Sequence, residues 1–205
     1  MERKTAKRRL SDLASLRPGR SFRTSVEHDP EGDYWVLRPG DIDEDGEVST
    51  DRMRKVAGLD PKDRYLVDES VVLFVTYGTN NRAYCFENLP ENTVADSKFT
   101  MIRPGGQKAA SLFPETVLPE YLAWYMNREP AQAFYEAFRR GSTTTRISRE
   151  SLGRLEVPVP PAETQREIAE VSRLVQKEQE LLTRWVEKRS ELAHGLMLRQ
   201  IGEDY

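Results

Sequence analysis

Hydrophobic residues follow two different rhythms along this chain. Between residues 34 and 103 they come in short runs separated by turn-forming residues. Tyr34-Trp35-Val36-Leu37 predicts a strand, and Asp45-Gly46 marks a tight hairpin turn. Residues 70–77 hold an apolar run, Val71-Val72-Leu73-Phe74-Val75, whose β-branched and aromatic content predicts a buried strand. Residues 82–87 and 97–103 predict two more, and Pro104-Gly105-Gly106 ends the series. From Pro119 the spacing becomes helical. Pro119 suits a first helical position, with Tyr121, Leu122, Trp124 and Tyr125 as the apolar face. Pro130 opens a second helix carrying Ala131, Phe134, Ala137 and Phe138, and Gly141 stops it. A short helical or turn segment at 147–152 precedes a strand, Leu155-Glu156-Val157, that runs into Pro158-Val159-Pro160-Pro161.

Residues 162–201 contain no proline. A helix of that extent is about 60 Å long at 1.5 Å per residue. Along the 3-4 spacing, Ile168, Val171, Val175, Leu182, Trp185, Leu192 and Leu196 are apolar, while Glu178, Arg189 and Arg199 are not. Seven apolar positions of ten mark a coiled-coil-like seam, and Leu174, Leu181 and Leu198 widen it. The remaining domain is too small to need so long a helix for its core, so the seam is expected to pack on another helix of equal length. The alternative is a helix folded back on its own domain. At the junction, prolines fix φ and remove donors, predicting a stiff, extended exit from the sheet. Thr164 followed by Glu167 has capping-box spacing, and Glu163 and Glu167 suit a helix N-terminus. The predicted fold class is α+β: a mixed, β-rich domain with short helices over residues 1–160, then one long coiled-coil-like helix over 161–205.

Composition narrows the function. The 205 residues are 38% hydrophobic and 32% charged, with a net charge of −3. No apolar run approaches the length of a membrane span, and the basic N-terminus lacks the apolar stretch of a secretory signal. A single cysteine, Cys85, precludes an internal disulfide and fits a reducing cytoplasm. Charge is uneven: Arg3, Lys4, Lys7, Arg8, Arg9, Arg17, Arg20 and Arg23 crowd the first 25 residues against Glu2 and Asp12. Local patches of this kind matter more for nucleic-acid binding than the total. Lys7, Arg8 and Arg9 read as a solvated tail.

Catalytic signatures fail one by one. Asp41-Ile42-Asp43-Glu44-Asp45-Gly46 opens like a calcium loop, but the twelfth position is Arg52 instead of a bidentate Glu. Asp96-Ser97-Lys98 resembles a fragment of a metal-dependent nuclease core without its acidic partner. His28 and His194 neighbour no cysteine, so zinc lacks ligands. Gly105-Gly106-Gln107-Lys108 lacks the earlier glycine and the Ser or Thr of a phosphate-binding loop. No glycine-rich methyl-donor loop or Asn-Pro-Pro-aromatic motif is present. The chain is expected to be non-catalytic and to hold no metal or cofactor.

The ordered segments resemble the specificity (S) subunit of type I restriction–modification systems, in the form of one target recognition domain and one spacer helix. Residues 10–19 (LSDLASLRPG) match the family's opening strand and turn, and residues 37–48 (LRPGDIDEDGEV) match its hairpin. Residues 71–78 match its central strand, and Leu118-Pro119-Glu120-Tyr121-Leu122 its helix. The most specific segment is 141–168, ending in VPVPPAETQREI. Thr164-Gln165 stands where members usually carry Glu-Gln, and the usual subunit has two domains and two helices. The resemblance implies double-stranded DNA as target and methyltransferase subunits as partners, with S-adenosylmethionine bound there instead of on this chain. Restriction subunits join in some complexes. It also implies a homodimer, or pairing with another half-subunit, to read a bipartite symmetric site.

The expected DNA-binding residues fall in three segments. Arg139, Arg140, Ser142, Thr143, Thr144, Thr145 and Arg146 surround Gly141, joining cations, hydroxyls and a close-approach glycine. Tyr77, Thr79, Asn80, Asn81 and Arg82 offer Asn for adenine and Arg for guanine, although Asn-Asn is also good turn chemistry. Arg17, Arg20 and Arg23, with Ser21 and Thr24, form a third basic loop. Dimer contacts are expected at Ile168, Val171, Val175, Leu182, Trp185, Leu192 and Leu196. Two rival functions remain open here: a coiled-coil adaptor or inhibitor without DNA reading, and a stand-alone nuclease.

Overall fold

A computed structural model describes residues 5–22, 28–43, 45–59, 65–78, 81–105, 117–140 and 146–200. It divides into two compact units, Met1–Ala169 and Glu170–Tyr205. The first unit holds nine strands and four short helices among its described residues: β1 (Ala6–Arg9), α1 (Leu10–Leu13), β2 (Ala14–Pro18), β3 (Tyr34–Leu37), β4 (Arg54–Val56), β5 (Val72–Val75), β6 (Ala83–Cys85), β7 (Thr93–Ala95), β8 (Phe99–Pro104), α2 (Pro119–Met126), α3 (Glu129–Arg140), α4 (Arg149–Gly153) and β9 (Glu156–Val159). The long helix α5 (Ala162–Gln200) starts in this unit and supplies the described part of the second. The α+β class predicted from the sequence is the one observed.

The central layer is a four-stranded sheet in the order β2-β8-β5-β6, antiparallel throughout. Its two faces explain why the apolar run at 71–75 lacks alternation. Val72 and Phe74 point to the helical side, joining Ile102, Tyr121, Leu122 and Tyr135. Leu73 and Val75 point the other way, with Phe99 and Met101, toward Leu37, Ile42 and Ala95. A strand covered on both faces must be apolar at every position, and all four residues of β5 are buried. The three-stranded sheet β4-β3-β7 covers the second face, with β3 and β7 parallel. Gly19 lets the end of β2 pass onto that sheet. A Cβ there would lie 2.1 Å from the Asp96 carbonyl oxygen, and Arg20 N–H then donates to the Ala95 carbonyl at 2.7 Å.

Several local expectations shift. β4 and β7 were not predicted, because each is only three residues long. Lys7, Arg8 and Arg9 are no loose tail: they pair as β1 with β9, although all remain exposed. The prolines do not all follow the last strand, since Pro158 lies inside β9, as a strand edge permits. The capping box at Thr164 is not formed, because α5 begins two residues earlier at Ala162. Gln165 N–H already closes on the Pro161 carbonyl at 3.0 Å, so Thr164 is an interior position. Ile168, expected at the start of the helix seam, packs on the domain core, which is why the compact unit extends to Ala169.

Within the second unit the helix carries ion pairs on its flanks, including Arg173–Glu170 at 2.8 Å and Lys188–Glu191 at 2.7 Å. Its apolar seam stays uncovered: exposure runs from 46% at Val175 to 67% at Leu192, and Trp185 is 60% exposed. No described helix is long and apolar enough to cross a membrane.

Candidate nucleic-acid interface

Strand register gathers the candidate residues at one end of the four-stranded sheet. Pro18 pairs with Thr100 and Val75 with Phe99, while Phe74 pairs with Ala83. The chain leaving β2 therefore carries Arg17 and Arg20 beside the chain entering β8, which carries Lys98. The chain leaving β5 carries Tyr77, and the chain entering β6 carries Arg82. Hydrogen bonds seal this end. Thr76 N–H and Thr76 Oγ1 both donate to the Lys98 carbonyl, at 3.0 and 2.8 Å, and Val75 N–H donates to the Arg82 carbonyl at 2.9 Å.

The two best sequence candidates meet here. Tyr77 and Arg146 form an isolated antiparallel bridge, and Ile147 N–H donates to the Thr76 carbonyl at 3.0 Å. The Arg146 guanidinium lies 4.9 Å from the Tyr77 ring centroid, within cation–π range. Tyr77 is 44% exposed and Arg146 is exposed. Arg20 sits 5.9 Å from the Phe22 ring and 6.0 Å from the Tyr65 ring, and Arg17 and Arg82 are exposed. Arg23, Thr24, Thr79, Asn80, Ser142, Thr143, Thr144, Thr145 and the Arg140 side chain lie outside the described residues.

Asn81 occupies a different position from the rest. It is fully buried, and both ends of its amide are committed internally. Nδ2 donates to the Val75 carbonyl at 2.9 Å, and Oδ1 accepts from Arg139 at 2.6 Å. Its own carbonyl accepts from Gln132 Nε2 at 3.0 Å. A fully buried amide held at both ends cannot reach a base edge for the bidentate adenine contact expected of it. One step along, Asn127 flanks β6 as a missing strand would: its Oδ1 accepts from Ala83 N–H at 2.9 Å and its Nδ2 donates to the Ala83 carbonyl at 2.7 Å. Asn127, Gln132 and Arg139 thus tie the entry of β6 to the end of α2 and the length of α3.

Lys98 was missed as an interface residue. Sequence reasoning met it only inside Asp96-Ser97-Lys98 and judged it as nuclease chemistry. Asp96 Oδ1 in fact accepts from the Lys98 N–H at 2.7 Å, shaping the turn into β8, and the ammonium is exposed. Burial pushes the neighbouring Tyr84 phenol above its ordinary value against the pull of Arg82, so it stays neutral. Cations at this end include Arg17, Arg20, Arg82, Lys98 and Arg146, with Asp96 and Asp43 among the nearby acids. Chemically this is a set of donors and positive charge near an exposed aromatic ring, suited to holding an anion.

A mixed α+β domain continued by a long helix is an architecture shared with solved specificity subunits. The S subunit of the type I restriction–modification system of M. genitalium superposes with a TM-score of 0.56 at 15% identity, covering 99% of this chain and 48% of that one. The HsdS subunit from Thermoanaerobacter tengcongensis gives 0.62 at 18% identity, covering 100% and 52%. A chain from a structure on complex assembly and conformational transition of the type I system gives 0.62 at 18%, covering 98% and 51%. This chain therefore spans about half the length of these solved relatives. No curated protein sequence matches it. The family model described as "Type I restriction modification DNA specificity domain" matches residues 2–183, and the chain belongs to that family.

Proposed function

We propose that this chain is a non-catalytic, sequence-specific DNA recognition subunit of a type I restriction–modification complex. The observation that carries the reading is Arg146 against the exposed Tyr77 ring, at the end of the central sheet where strand register also brings Arg17, Arg82 and Lys98. In this reading Arg146, Lys98 and Arg17 neutralise phosphates. Asn81 and Arg139 act behind them as supports. The exposed seam of α5 serves to pair two copies, or this chain with another half-subunit, so that two recognition domains read a bipartite site. The methyl transfer from S-adenosylmethionine belongs to the methyltransferase subunits that such a dimer recruits. The family membership and the fold of the relatives support this assignment.

The test is DNA binding by the purified chain over a range of salt, on duplexes selected from a randomised library. Arg146→Ala combined with Lys98→Ala should weaken binding on all sequences. It should also flatten the plot of log K against log salt by about 0.9 for each phosphate no longer neutralised. Unchanged affinity and slope would overturn the interface.

A further inference from the structure

A second cationic surface lies on the two-stranded ribbon β1-β9. A groove of about 640 Å³ is lined by Lys7 and Arg9 of β1, Tyr125 of α2, Pro130 and Phe134 of α3, and the segment from Arg154 to Glu156. β1 runs directly into α1, at the end of β2 away from Tyr77. Ala14, where β2 leaves α1, pairs with Pro104 at the far end of β8. Along α3, Pro130 and Arg139 are separated by about 13 Å at 1.5 Å per residue.

β1 also presents a strand edge, on the opposite side of the ribbon from Tyr125. Leu10 N–H donates to the Leu155 carbonyl at 2.8 Å, and antiparallel pairs alternate. The main-chain groups of Arg8 and Ala6 therefore turn toward β9, while those of Lys7 and Arg9 turn away. On the other side of the ribbon the outward carbonyls are closed. Tyr121 Oη donates to the Pro158 carbonyl at 2.8 Å and Tyr125 Oη to that of Glu156 at 2.9 Å. No described strand covers the outer edge of β1. Lys7 and Arg9 share one face, and neither forms an ion pair among the described residues. Arg154 is held at the wall by Glu150 at 2.6 Å, and Glu156 is the one carboxylate in the lining.

We propose that the outer edge of β1 is a docking site for an extended, acidic segment of a partner protein. The segment adds a strand beside β1 and sets carboxylates at alternate positions against Lys7 and Arg9. A strand edge offers as many carbonyls as amides, which suits a peptide backbone and repels the all-acceptor backbone of a nucleic acid. Cationic edges ordinarily block pairing with neutral or basic strands; the same charges favour an acidic one. The proposal does not depend on the DNA interface, and its test separates the two.

The probe is a fluorescein-labelled peptide alternating Glu and Thr, titrated with the full chain by fluorescence anisotropy. Saturable binding is expected, weakened about tenfold or more by Lys7→Glu with Arg9→Glu and untouched by Arg146→Ala. Lys7→Gln with Arg9→Gln serves if the double reversal fails to fold. The same peptide N-methylated at alternate amides should not bind, because it cannot extend the sheet. The site is refuted if the peptide does not bind, if N-methylation or the β1 variants leave binding unchanged, or if single-stranded DNA displaces the peptide at equal concentration.

Discussion

Gln165 makes a sharp test of how the long helix is rooted in the domain. Its side chain is fully buried. Oε1 accepts from the Leu118 N–H just before α2, and Nε2 donates to the Pro160 carbonyl, both at 2.8 Å. Gln165→Met keeps the length and most of the volume but leaves one buried N–H and one buried C=O unpaired. At about 1–3 kcal/mol for each orphaned group, the loss is about 2–6 kcal/mol, a large part of a typical domain stability of about 5–15 kcal/mol. In urea, with an m-value of about 2 kcal/mol per molar, the midpoint should fall by about 1–3 M at constant m. Gln165→Glu adds a pH signature. A protonated carboxyl reproduces both bonds of the amide, whereas an ionised one sets buried charge against the Pro160 carbonyl. The folded state therefore raises this carboxyl above its ordinary value of about 4.3, and between the two values the folded chain holds more protons than the unfolded one. Stability relative to the natural protein must then be nearly complete below about pH 4 and decline as pH rises toward the folded value. A Met variant whose midpoint moves by less than about 0.3 M, or a Glu variant with no pH trend, would refute this account.

Three further outcomes follow from the same treatment of buried groups and exposed faces. Tyr135 is fully buried, and its hydroxyl has no hydrogen-bond partner among the described residues. Tyr135→Phe should therefore be neutral or stabilising by about 1 kcal/mol, and a clear fall in the urea midpoint would contradict that. Trp185→Glu with Leu192→Glu places charge in the exposed seam of α5 and should yield a monomer in sedimentation, where an unaffected dimer would remove the pairing role. Asn81→Ala orphans the Val75 carbonyl and unseats Arg139. It should reduce stability by about 1–3 kcal/mol and weaken binding to all DNA sequences alike; a changed base preference at unchanged stability would make Asn81 a reader after all.

The parts of the fold legible in the sequence are those where one local pattern decides. The apolar run at 71–75, Pro119 and Pro130 as helix starts, and the proline-free stretch behind α5 each fix their element with little outside help. Strands β4 and β7 escape because three residues hold too little pattern; they exist through their pairing with β3. The interface was legible as chemistry and not as geometry. Tyr77 and Arg146 both stand out in the sequence, but their meeting depends on the Thr76–Ile147 hydrogen bond, which no spacing foretells. Asn81 and Lys98 exchange the roles their neighbourhoods suggest for the same reason. A turn-like Asn-Asn pair looks solvent-facing, yet the step into β6 buries its second amide under α3. An Asp-Ser-Lys triplet looks like a metal site, yet Asp96 is engaged by the Lys98 backbone, leaving the ammonium outward. The junction 157–168 shows the same division. Its residues mark the family, but the rigidity attributed to its prolines and a capping box resides in Gln165 and Ile168. Those two side chains bind the first turns of α5 to the domain core, so mutating the prolines should matter less for the joint than mutating Gln165.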